Sequence, residues 1–151
     1  MLTSVGLAAR PGLSVWGVRC ADDHTGWSAP EVREDYRLVL VRRGRFRRHT
    51  GVAVDLEPAV GYLGAPGEEE RFAHPAGGDE CTSVTLSPAL GARLAGGSRP
   101  AVYVDARVEL AHRRVLAAGA DIDYALVEAM LGLLALATAG APAPGRTPAR
   151  P

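Results

Sequence analysis

The chain has 151 residues, with 17 basic and 17 acidic side chains and two cysteines, which is enough for one domain with a core of its own. Zero net charge supplies no global field toward nucleic acid or a membrane surface, and two cysteines do not make a disulfide framework. Met1–Pro11 lacks the charged start and apolar run of a secretory signal, and the longest apolar run, Ala129–Ala139, is about half the ~20 residues of a membrane span, so a soluble cytoplasmic domain is expected.

The first hundred residues read as β structure. Leu13–Cys20 alternates, with Trp16, Val18 and Cys20 on one face. Tyr36–Arg43 follows, and its centre Leu38–Val41 is apolar on both faces, as in a strand enclosed by a sandwich or barrel. Gly44 and Gly51 permit turns on either side of Arg45–His49, ahead of Val52–Val54 and Val60–Leu63. Glu70–His74 alternates and Pro75 ends it; Cys81–Leu86, rich in Val and Thr, stops at Ser87-Pro88. Short strands separated by Gly and Pro at such intervals signal a sandwich or barrel. Ala101–Val104 reads as a last strand. Asp105 then caps a helix Ala106–Ala118 ended by Gly119, and Asp121 caps a second, Ile122–Thr138, ended by Gly140. The turn between them is short, so an antiparallel hairpin is expected. The tail 141–151 carries four prolines and reads as a solvated linker.

The strand ending in Cys20, the segment Leu38–Phe46, the stretch Gly61–Pro88 and the two helices before a Pro-rich linker resemble the N-terminal sensing domain of AraC-type transcriptional regulators. The most specific part is Pro66–Thr82, with its Pro-Gly-Glu turn, His74-Pro75 and the run from Gly77 to Thr82. The resemblance implies a cupin-like β-barrel or jelly roll over residues 1–104, a helical dimerisation hairpin over 105–140 and a linker over 141–151. It also implies a homodimer, a small-molecule effector, and DNA contact only through a C-terminal domain that this sequence does not include. On that reading the chain is not itself catalytic, and no membrane partner is expected.

Three sets of residues are candidates for function. The larger strand side chains Trp16, Leu38, Leu40, Tyr62 and Phe72 are the expected lining of a sensor pocket, with a barrel packed shut as the alternative. In the second helix Leu126, Met130, Leu133, Leu134 and Ala137 form a stripe, and that helix is apolar nearly all round. Such a helix needs burial on more than one face, which points to a twofold dimer interface. Cys20, His24, His74 and Cys81 supply two thiols and two imidazoles, the donor set of tetrahedral zinc. A buried cysteine with a hydrogen-bonded core histidine, or a Cys20–Cys81 disulfide, stays open beside it. Cys81 alternates with Ser83 and Thr85, opposite Val84 and Leu86, which places it on the less apolar face. The His-x-His pair of enzymatic cupins is missing: Gly26 stands where His24 would need a partner, so a metalloenzyme using His24, His74 and Glu31 ranks second. The arginines Arg42, Arg43, Arg45, Arg47 and Arg48 read as a solvated strand edge.

Overall fold

The computed structural model describes residues 1–118 and 124–139, so the expected caps at Gly119, Asp121 and Gly140 and the linker 141–151 lie outside the described residues. Strands β1 (Leu2–Arg10), β2 (Leu13–Cys20), β3 (Glu31–Val32), β4 (Tyr36–Arg43) and β5 (Phe46–His49) come first. They are followed by β6 (Ala53–Leu56), β7 (Val60–Gly64), β8 (Glu69–Ala73) and β9 (Asp79–Leu86). Helix α1 (Pro88–Leu94), strand β10 (Arg99–Tyr103) and helices α2 (Ala106–Ala118) and α3 (Tyr124–Ala139) complete the order.

The strands form a six-stranded sheet in the order β1-β2-β9-β4-β7-β10 and a four-stranded sheet in the order β3-β8-β5-β6. Every strand pairing is antiparallel, and the non-sequential order is that of a jelly roll. Gly44, at φ +77°, makes the turn from β4 into β5, a backbone conformation that residues with a Cβ rarely adopt. Three elements have no counterpart in the sequence analysis: β1, α1 and the two-residue strand β3, which pairs with β8 through Glu31 opposite Glu70. β1 is mostly exposed, yet its backbone pairs along β2 from Leu2 opposite Cys20 to Arg10 opposite Leu13. α1 begins where Ser87-Pro88 was read only as a strand stop: Ser87 Oγ accepts from Leu90 N at 3.3 Å, and Pro88 suits a first helical turn.

The six-stranded sheet is covered on both faces. Between it and the four-stranded sheet lie Val39, Val41, Phe46, Leu56, Tyr62 and Cys81. On its other face Leu38, Leu40, Leu63, Val84, Leu86 and Val102 pack in one cluster with Val108 and Val115 of α2 and Leu126, Met130, Leu133, Leu134 and Ala137 of α3. Asp105 caps α2, its Oδ1 accepting from Val108 N at 2.9 Å and Arg107 N at 3.0 Å.

This arrangement corrects the stripe. Leu126, Met130, Leu133, Leu134 and Ala137 are 1–5% exposed within the single chain, so they form the seam between helix and sheet and not a surface left for a second copy. The sequence reading needed a partner because it counted only one face of a barrel as core. An entire sheet face was available, and burying such side chains against it contributes about 1.5–3 kcal/mol each.

Candidate functional site

Alternation along β4 and β9 decides what lines the interior between the sheets. Arg37, Val39 and Val41 point into it from β4, and Asp79, Cys81 and Ser83 from β9, while Leu38, Leu40, Thr82, Val84 and Leu86 point to the helices. A pocket of about 310 Å³ opens there, with Val39, Phe46, Tyr62 and Phe72 as its apolar wall and Arg37, Ser28 and Ser83 among its polar lining. Tyr62 and Phe72 therefore line the pocket, whereas Leu38 and Leu40 belong to the helix-facing core. Trp16 shares the inward face of β2 but is 39% exposed, its Nε1–H donating to Ser14 Oγ at 2.9 Å, and it is not part of the pocket wall. The interior is a polar-lined pocket, so the face carrying Cys81 and Ser83 is the inner one, and the more apolar face of the same strand lies beneath the helices.

Beneath the pocket lies a buried ion network. Glu70 is 3% exposed and sits between Arg33 at 6% and Arg48 at 2%. Arg48 Nε donates to Glu70 Oε2 at 2.8 Å, and Arg33 Nη2 donates to Glu70 Oε1. Arg48 Nη2 also lies 3.5 Å from Glu68 Oε1, and its guanidinium stacks 4.0 Å from the Tyr62 ring centroid. Burial pushes the Tyr62 phenol up to about 12, so it stays protonated. The expected solvated arginine edge is thus divided: Arg43 and Arg45 are exposed, Arg47 pairs with Asp55 at 2.8 Å, and Arg48 is a core residue.

All four expected zinc ligands line the pocket with Asp22 and Asp79, but only Cys20 and His74 of the four come together, joined by Asp22. One ligand atom from each of Cys20, Asp22 and His74 falls within 4.8 Å of the others. His24 Nε2 is 3.2 Å from His74 Nδ1. Cys20 Sγ donates to Asp22 Oδ2 at 3.4 Å, and Cys81 Sγ donates to Asp79 Oδ1 at 3.3 Å. The N-terminal ammonium pairs with Asp22 Oδ1. Both cysteines are free and buried, so the disulfide reading is not the arrangement present. Cys81, His24 and Asp79 stand outside the compact group, Asp79 approaching it through His74 alone at 3.3 Å, and Asp22 is a member that the sequence does not point to. The missed signals were Asp22, two residues past Cys20, and the β2–β9 register that sets Cys20 opposite Asp79.

Electrostatics at this end favour neutral groups. Burial pushes the Cys20 and Cys81 thiols up and the Asp79 carboxyl up, and pulls the His74 imidazole down against the opposing pull of Asp79. The hydrogen bond from the N-terminal ammonium, then that from Cys20, holds Asp22 below the usual carboxylate range. Among the described residues Asp79 Oδ2 has no hydrogen-bond partner; His74 Nε2 lies 3.3 Å away but off the line of a hydrogen bond.

No family signature and no curated protein matches the sequence. Among solved structures, a candidate mannose-6-phosphate isomerase from Ralstonia eutropha JMP134 superposes with TM-score 0.51 at 12% identity, over 58% of this chain and 85% of that one. The cupin domain of Schizosaccharomyces pombe Cnp3 gives TM-score 0.51 at 8% identity, over 64% of this chain and 72% of that one. A structure from a study of DMSP lyases gives 0.50 at 14% identity, over 60% and 49%. The fold is cupin-like: mainly antiparallel β with a helical pair packed at its C-terminal end. The expectation that the chain is not catalytic does not stand, because the same fold is found in proteins named as an isomerase and as lyases. No helix among the described residues is long and apolar enough to cross a membrane.

Proposed function

We propose that this chain is a small-molecule-binding cupin domain, and that its role is effector sensing in a regulator of the AraC type. The pocket carries the reading: about 310 Å³, apolar on one side and polar on the other, in a position set by both sheets. The sequence resemblance over Leu13–Gly140 supports the regulatory part, as does a helical pair bedded on the reverse of the sheet that forms the pocket wall. The wall also indicates a ligand class. Arg37 lines the pocket, and although its Nη2 lies 3.7 Å from Asp35 Oδ1, its buried Nε has no hydrogen-bond partner among the described residues, which favours a small molecule bearing a carboxylate or another oxygen acceptor.

Calorimetric titration with a panel of small mono- and dicarboxylates tests this. At least one member should bind, and at a hundredfold excess over Kd it should stabilise the fold by about 2.7 kcal/mol. Arg37→Met should abolish that binding while leaving the fold intact. A panel without any binder, or binding indifferent to Arg37→Met, refutes the pocket assignment.

A catalytic cupin is the second reading. The observation behind it is the Cys20, Asp22 and His74 group at the pocket wall, since thiol, carboxylate and imidazole together can hold a metal or move a proton.

A further inference from the structure

We propose that Cys20, Asp22 and His74, with Asp79 Oδ2 closing the fourth position, form a mononuclear site for a borderline divalent ion, zinc foremost, at the inner end of the pocket. The inference stands apart from the identity of any organic ligand.

The hydrogen-bond chain identifies the histidine nitrogen. His24 Nδ1 lies 2.8 Å from the Gly26 carbonyl, which can only accept, so this nitrogen carries the proton. In neutral His24 the Nε2 atom is then an acceptor, and His74 Nδ1–H donates to it at 3.2 Å. His74 is left with a bare lone pair at Nε2, and the atom facing it at 3.3 Å is Asp79 Oδ2, itself 95% buried by side chain and without a hydrogen-bond partner. Oδ2 lies off the axis of that lone pair, as a second ligand of one ion does, and two electron-rich atoms this close in a buried site repel unless a cation is shared between them. A separation of 3.3 Å is also close to that of two ligands sharing a tetrahedral ion, about 3.4 Å for Zn–N and Zn–O bonds near 2.0–2.2 Å.

The remaining donors converge from β2 and the turn after it. Cys20 ends β2 beside Asp79 in register, and Asp22 presents Oδ2 to Cys20 Sγ at 3.4 Å while its Oδ1 is held by the N-terminal ammonium. The largest spacing in the Cys20, Asp22 and His74 group is no more than 4.8 Å, so side-chain rotations closing it by about 1 Å reach bonding distances. Binding replaces the Cys20 thiol proton, which now points at Asp22, and releases it to solvent; the ion takes the thiolate electron pair. His24 then acts as the outer partner that fixes the tautomer and orientation of His74, as ligating histidines usually require. Cys81 stays protonated, its thiol donating to Asp79 Oδ1 at 3.3 Å, and orients that carboxylate.

Cobalt(II) titration of chelator-treated protein tests the site. One equivalent should bind, with the visible bands of tetrahedral cobalt and a thiolate charge-transfer band in the near ultraviolet. Cys20→Ser should remove the charge-transfer band, Cys81→Ser should keep it, and Asp79→Asn should weaken binding at least about tenfold. Zinc-edge X-ray absorption of the unaltered protein counts sulfur ligands and needs no variant. One sulfur is expected; none, two, or a charge-transfer band that survives Cys20→Ser overturns the site, as does failure to take up one equivalent. A metal-loaded protein that binds no carboxylate would end the sensing proposal and leave this one standing, and the reverse result would do the opposite.

Discussion

Removal of the Glu70 carboxylate is the sharpest perturbation of the pocket floor. Glu70→Ala leaves Arg33 and Arg48, 6% and 2% exposed, with no counter-charge at their centre. Breaking a buried pair by deleting one member costs about 3–5 kcal/mol, because the remaining charge is desolvated without compensation. Here one deletion removes the central partner of two guanidiniums, although Asp35 still lies 3.4 Å from Arg33 Nη1 and Glu68 3.5 Å from Arg48 Nη2, and each relieves part of the penalty. Against a total stability of ~5–15 kcal/mol, and at about 2–4 °C per kcal/mol for a domain of this length, the midpoint should fall by roughly 6–20 °C. Urea and thermal unfolding followed by circular dichroism measure it. Glu80→Ala is the control, since its partner Arg19 is 3.8 Å away with a side chain 73% exposed, and the Glu80 side chain is itself 30% exposed; that change should cost less than about 1 kcal/mol. A Glu70→Ala protein within about 1 kcal/mol of the parent would show that the network is hydrated in solution and that burial does not govern its energy.

The helix seam gives a second expectation: Leu133, 1% exposed, should cost about 2–5 kcal/mol as Leu133→Ala. Leu133→Glu should loosen α3 from the sheet and expose dye-binding apolar surface; a variant that unfolds like the parent and differs only in assembly would contradict the inward-facing stripe. A third expectation concerns acid. His112 is buried against Thr82 Oγ1 at 2.8 Å, and burial pulls its imidazole below the ordinary value, with Arg42 and Arg113 adding to the effect and Glu109 opposing it. The unfolded chain therefore binds the proton first, and stability should fall as pH drops through about 6.5 and below. His74 acts with the same sign, so the test is a reduced stability loss between neutral and mildly acidic urea titrations in His112→Gln. An unchanged loss would remove His112 from the account.

Periodicity carried most of the framework. Leu13–Cys20, Tyr36–Arg43 and Ala106–Ala118 were legible to the residue, because alternation, apolar runs and a capping aspartate are local signals. β1 was not legible, since a largely exposed strand has no buried face to create a pattern; only its backbone pairing with β2 defines it. The lining failed for a different reason. Leu38 and Leu40 outrank Val39 and Val41 in size, and nothing local tells which face of a doubly buried strand meets a pocket and which meets helices. The metal-ligating candidates Cys20 and His74 could be named from residue type. Asp22 and Asp79 could not be told from surface carboxylates until the β2–β9 register set Asp79 opposite Cys20 and the turn after β2 brought Asp22 back to the Cys20 thiol.

A strand without a solvent face has consequences for how such a domain can change its ligand. In β9 six of eight positions are buried, with Asp79, Cys81 and Ser83 touching the pocket and Thr82, Val84 and Leu86 the helix bed. A new volume on one side displaces the backbone that supports the other, so few single changes there can be tolerated. The segment 21–30 and strand β8 are less confined: His24 is exposed, Ser28 and Phe72 half-buried, and all three meet the pocket. Libraries aimed at new ligands should sample those positions and hold β4 and β9 fixed, and natural divergence in binding preference should concentrate on the same rim.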